Sequence, residues 1–147
     1  MSLREQLSDE MKTAMKARDE LRLSTIRMIR SAVKNRDIDQ KRELSDQEIV
    51  DVLATLVKQR RESIRLFAEA GRTDLVDKEE QELAILLHFL PRQLSREEVA
   101  ALVDGAIAEC GATSGKDMGR VMKALAPQVA GRADGKMVSD LVKEKLA

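Results

Sequence analysis

The sequence predicts an all-α protein: a four-helix, bundle-like N-terminal unit over residues 1–92 and a smaller three-helix unit over 93–147. Three observations predict it. Ala, Glu, Lys, Leu and Arg make up about half of the chain, the composition of long helices. Apolar residues recur every three or four positions, and no window alternates for long enough to make a strand. Helix starts are legible as capping boxes, in which a Ser side chain and a Glu three residues on satisfy each other's backbone N–H groups. With two Phe and no Trp or Tyr, the cores must be built from Leu, Ile, Val, Met and Ala.

"SLRE" (2–5) opens the first helix in this way. The second carries the stripe Leu23, Ile26, Ile29 and Val33. "SDQE" (45–48) opens the third, with Leu44 and Ile49 as its hydrophobic staple. Its stripe is Ile49, Leu53, Leu56, Ile64 and Phe67, broken at Arg60. It is expected over about 46–70, roughly 37 Å at 1.5 Å per residue. Gly71 fits a left-handed end, and Thr73 is expected to cap the fourth helix. That helix runs through the acidic "DKEEQE" (77–82) into "LAILLHFL" (83–90), which is apolar nearly all round. Such a surface must be enclosed or form an interface. Pro91 stops it, and a hinge is expected near Pro91 to Leu94.

"SREE" (95–98) opens the second unit, with Leu94 and Val99 as the staple. One helix covers about 95–110 and ends at Gly111. After the loop "ATSG" (112–115) comes a short helix with Met118, Val121, Met122 and Leu125, expected to end at Pro127 and Gly131. The last helix carries Val138, Leu141, Val142 and Leu146.

"GRADGK" (131–136) superficially suggests a phosphate loop. That loop needs four residues between its glycines, Lys then Ser or Thr, and a preceding strand. Here the spacing is one residue short, Met137 follows Lys136, and a helix precedes. The corner reading fits better: Gly131 supplies a left-handed turn and Asp134 caps the final helix. Arg132 and Lys136 beside that helix start form a secondary, phosphate-gripping possibility.

No catalytic constellation is visible, and no cofactor or metal is expected. His88 is the only histidine and reads as a packed or interface residue. Cys110, the only cysteine, reads as a small half-buried apolar group. A single cysteine excludes an internal disulfide and fits a reducing compartment. No apolar signal core opens the chain, and the longest apolar run is too short for a bilayer. The expectation is a cytoplasmic protein with no membrane contact.

Basic and acidic residues balance at 26 each, so binding to a polyanion must come from arrangement rather than net charge. Three basic stripes have helical spacing: Arg27, Arg30 and Lys34; Lys58, Arg61 and Arg65; and Lys116, Arg120 and Lys123. Residues 113–147 hold seven basic and four acidic side chains. The plain reading is solvated, paired faces. The functional one is a surface for RNA phosphates, read by shape and backbone because stacking aromatics are scarce. The candidate contacts are Lys116, Arg120, Lys123, Arg132 and Lys136, with Arg27, Arg30 and Lys34 as a second surface.

"RLSTIRMIRSAVKN" (22–35), "KQRRESIRLFAEAGRTDL" (58–75), "FLPRQLSREE" (89–98) and "KDMGRVMKALAPQVAGRADGKMVSDLVKEKL" (116–146) resemble the YqeY-like proteins of the GatB/YqeY family. The likeness covers essentially the whole chain. It departs at His88-Phe89, where the family often shows Glu-Tyr. The resemblance implies an all-helical fold of two units. It also implies kinship with the helical tail of the tRNA-dependent amidotransferase B subunit, which helps hold tRNA while a separate domain does the chemistry. A carbon–nitrogen ligase label, with glutamine as amido donor, would therefore be inherited. The expected function is a non-catalytic module that binds tRNA or associates with tRNA amidation. The expected partners are tRNA and the amidotransferase or aminoacyl-tRNA machinery. The alternatives are a protein-interaction adaptor using "LAILLHFL", a helix-turn-helix DNA binder and a transamidase in its own right.

Overall fold

The computed structural model describes residues 1–147, and all of its regular structure is helical. The order is α1 (Leu3–Ala17), α2 (Glu20–Gln40), α3 (Asp46–Glu69), α4 (Thr73–His88), α5 (Arg96–Cys110), α6 (Met118–Val129) and α7 (Gly135–Leu146), with a 3-10 turn at Gly115–Asp117 before α6. The chain divides into two compact units, Met1–Leu90 and Pro91–Ala147. Arg92 and Gln93 fall with the second because their partners are there: Arg92 pairs with Glu98 at 2.8 Å, and Gln93 Nε2 donates to the Gly131 carbonyl at 2.8 Å.

Helix starts follow the local code. Ser2, Ser45 and Ser95 each complete a capping box with Glu5, Glu48 and Glu98. The last two glutamates also meet an arginine. Arg42 and then the Ser45 amide pull the Glu48 carboxyl down to about 2. Arg92 and the Ser95 amide do the same to Glu98, also to about 2. Two starts and stops differ from expectation. Thr73 is the first residue of α4 rather than its cap, and no side chain caps that start. Pro127 lies inside α6, which continues to Val129. A proline so close to a helix end removes only one late backbone bond, so the helix tolerates it.

Helix ends use the left-handed closure in which the two residues beyond the helix donate back to its last turn. Gly71 and Gly111 take that conformation at φ 70° and 62°. Arg18 and Lys41 take it too, each at φ 56°. The Lys41 and Arg42 amides donate to the Ile38 and Asp37 carbonyls at 3.1 Å. A residue with a Cβ is strained there.

The core of the first unit gathers Leu3 and Leu7 from α1, Ile26, Ile29 and Val33 from α2, Ile49, Leu53 and Val57 from α3, and Ile85, Leu86 and Phe89. "LAILLHFL" is therefore enclosed: Ile85, Leu86 and Phe89 are buried, and Leu83, Leu87 and Leu90 pack against them. Fully burying a side chain such as Leu86 contributes about 1.5–3 kcal/mol. Arg60, which interrupts the α3 stripe, reaches the acidic turn of α4. Its Nε lies 2.8 Å from Glu82 and 3.1 Å from Glu79, and an Nη atom meets the Met28 sulfur of α2 at 2.7 Å. The second core gathers Val99, Val103 and Ala106 of α5, Val121 and Leu125 of α6, and Val138, Leu141, Val142 and Leu146 of α7.

Replacing Lys41 with Gly should remove the left-handed strain and raise stability by about 0.5–1 kcal/mol. Urea unfolding of the two proteins checks this, and an unchanged or lower midpoint would contradict it.

Candidate nucleic-acid interface

Two surfaces carry the basic residues singled out from the sequence, one on each unit. On the first, Arg27, Arg30 and Lys34 are exposed along α2. They line one wall of a groove of about 940 Å³ between α1 and α2. Across from them stand Leu7, Met11 and Met15 of α1. The Arg30 guanidinium lies on the Met11 sulfur, Nη1 to Sδ 2.9 Å, and no ion pair holds Arg27, Arg30 or Lys34. The only acid within one turn of these three is Asp37, and it is already occupied. Arg4 grips Asp37 with two hydrogen bonds of 3.0 Å, and the Leu44 amide donates to the same carboxylate at 2.9 Å. Arg4 first, then Leu44, hold the Asp37 carboxyl below its ordinary value of 3.8.

Midway along α1 a second carboxylate node forms. Glu10 accepts from Gln6 at 2.9 Å and from Arg22 at 2.7 Å, and lies 2.8 Å from His88 Nε2. Burial pushes the Glu10 carboxyl up, but Gln6, Arg22 and His88 together outweigh it and bring it below the usual value. His88 is thus half-exposed with a carboxylate partner, not a packed residue without one. That partner lies 78 residues away, beyond the reach of sequence spacing.

The second surface is less free than its sequence suggests. Lys116, Lys123 and Lys136 are exposed and bear no ion pair. Arg120 pairs with Asp117 at 2.6 Å and donates to the Cys110 carbonyl at 3.1 Å. The Thr113 amide and Arg120 hold the Asp117 carboxyl below its usual range. Arg132 is half-buried and directs its guanidinium at the carbonyls of Arg92 and Gln128, both at 3.4 Å. "GRADGK" is a corner: Gly131 sits at φ 69°, the Leu94 amide donates to the Arg132 carbonyl at 2.7 Å, and Asp134 accepts from the Met137 amide at 3.3 Å. That carboxylate lies at the α7 start, beside Lys136. Cys110 is half-buried, its sulfur 3.8 Å from the Arg120 carbonyl.

The third stripe is partly neutralised. Arg65 pairs with Glu62 and Glu69, leaving Lys58 and Arg61 exposed.

A family model described as Yqey-like protein matches residues 4–146. The chain belongs to the Yqey-like protein family. Its curated relatives include fungal proteins. Altered inheritance of mitochondria protein 41 of Kluyveromyces lactis is 45% identical over 101 residues, 66% of this chain and 54% of that protein. The same protein of Lachancea thermotolerans is 37% identical, over 70% of this chain and 57% of the relative. That of Eremothecium gossypii is 37% identical, over 74% and 61%. The chain thus spans little more than half the length of these relatives, whose names carry the word mitochondrial. No helix of the chain is long and apolar enough to cross a membrane.

The Asp37 node predicts a pH signature. A carboxyl whose folded pKa is depressed stabilises fully above its unfolded value, and the contribution is lost as pH falls through the folded one. Asp37→Asn should therefore melt below the parent at pH 6–7, with the gap narrowing as pH falls below about 3.8. Melting curves from pH 3 to 7 check this; a gap that is constant with pH would contradict it.

Proposed function

We propose that this chain is a non-catalytic helical module that binds tRNA or works beside tRNA amidation. One observation carries the reading. Nine arginines, Arg4, Arg22, Arg42, Arg60, Arg65, Arg72, Arg92, Arg96 and Arg120, are paired with carboxylates, while Arg27, Arg30 and Lys34 of α2, Lys116 of the 3-10 turn, Lys123 of α6 and Lys136 of α7 are among the exposed cations that no ion pair holds. Closely spaced unpaired cations suit a polyanion, where each neutralised phosphate releases counterions. The resemblance to the tRNA-holding tail of the amidotransferase B subunit supports tRNA as that polyanion. The proposed partners are tRNA and the amidotransferase or aminoacyl-tRNA machinery, in the cytoplasm. The mitochondrial label belongs to the fungal relatives.

Within this reading the second unit contributes Lys116, Lys123 and Lys136. Arg120 and Arg132 serve first to fix the backbone that presents them. The adaptor alternative has less support, because Ile85, Leu86 and Phe89 of "LAILLHFL" lie in the first unit's core. The inherited ligase label is separable by experiment: glutaminase or ammonia-dependent amidation by the purified protein would replace the present reading.

Log affinity for tRNA should fall with log salt by about 0.7–0.9 per phosphate contacted. The double reversal Lys123→Glu, Lys136→Glu should weaken binding about tenfold or more and flatten that slope. Filter binding across a salt series checks both. Salt-insensitive binding, or none at micromolar protein, would contradict the proposal; an unchanged affinity in the double variant would remove these two lysines from the interface.

A further inference from the structure

The groove between α1 and α2 has a more particular character than a basic stripe. Arg27, Arg30 and Lys34 are separated along α2 by about 4.5 Å and 6.0 Å, so they form a short row on one wall. The opposite wall mixes Leu7, Met11 and Met15 with Arg4, Glu5 and Ser8, and little of its apolar part is open. Leu7 and Val33 are 2% and 3% exposed, already covered by the protein's own core. What remains accessible is the half-buried Met11 and Met15, the latter 49% exposed.

We infer that this groove takes a single-stranded segment of RNA, its phosphates along Arg27, Arg30 and Lys34 and one unstacked base against Met11 and Met15. This rests on the RNA reading above and names the form of RNA the surface accepts. A docked amphipathic helix would need a continuous apolar strip to receive anchors on successive turns. Two methionines do not supply it. A polyanion needs the cations more than the floor, and the row of three meets that need. A duplex keeps its bases stacked inside and would leave the methionines without a ligand. Unstacked bases are held on aromatic rings or on guanidinium planes, and with aromatics scarce here only the guanidinium plane is at hand. Arg27 has no carboxylate partner and is available for that role. Thioether sulfur also makes favourable contacts with aromatic rings, and the flexible methionine side chain adapts to any base.

The groove has a polarity. At its far end stand Glu5 and Asp37. Arg4 neutralises Asp37, but Glu5 is exposed and repels phosphate. The strand therefore lies toward the Met15 and Arg27 end.

The test uses the full chain with a labelled twelve-nucleotide single-stranded RNA, a blunt duplex of the same sequence, and tRNA, read by fluorescence anisotropy over a salt series. The single strand should bind at least about fivefold more tightly than the duplex. Arg27→Glu, Arg30→Glu should cost tenfold or more on the single strand and lower the salt slope by about 1.4, two phosphates at about 0.7 each. Met15→Ala, at an exposed site where folding is not at stake, should weaken the single strand a few-fold with the slope unchanged. Equal binding of duplex and single strand would overturn the inference, as would unchanged single-strand affinity in the charge-reversed variant while tRNA still binds; both leave the RNA reading standing. A Glu/Leu amphipathic peptide that occupies the groove when the single strand does not would also overturn it. Absence of binding to all three RNAs overturns the groove assignment and the RNA reading together.

Discussion

The register of the first unit hangs on the carboxylate of Asp37. It takes both nitrogens of the Arg4 guanidinium and the Leu44 amide, so it fastens the start of α1 to the end of α2 and to the turn leading into α3. Glu10 does the equivalent work midway along α1, gathering Gln6, Arg22 and His88. Aliphatic side chains attract one another without direction, and a core almost empty of aromatics offers few shapes that forbid sliding. Paired charges at the start and the middle of α1 supply the missing direction. Arg60 adds a third such tie between α3, α4 and α2.

This arrangement also determines which charges remain for other work. Asp37 would otherwise face Lys34 one helical turn away; held by Arg4, it leaves that lysine unpaired. In the second unit the corner at Gly131 does something similar by different means. It draws Arg132 against backbone carbonyls and leaves Lys136 outside. Unpaired cations are thus a consequence of how each unit is tied together.

What the sequence made readable was local. Capping boxes at Ser2, Ser45 and Ser95, left-handed ends at Gly71 and Gly111, and the Asp134 cap depend on residues a few positions apart, and all stand where they were expected. The two-core, all-helical plan followed from the same periodicity. Thr73 and Pro127 were misplaced because capping and breaking propensities are weak beside packing. Arg60 read as a flaw in a stripe since its glutamates lie 19 and 22 residues on, in another helix. The basic stripes were visible as spacing, but which members were already engaged was not. Arg4 and Asp37 are 33 residues apart, and nothing in either neighbourhood announces the other. The groove was hidden for the same reason, being made by two helices whose facing residues only the fold brings together.

Membership of the Yqey-like protein family and the pattern of unpaired cations bear on one claim: these helical units present a surface to RNA. The most direct measurement is to purify the full chain at low salt, extract whatever nucleic acid comes with it, and sequence it. The account predicts RNA enriched in tRNA that is released as salt is raised. A preparation free of nucleic acid at low salt, or one carrying DNA that salt does not displace, would contradict it.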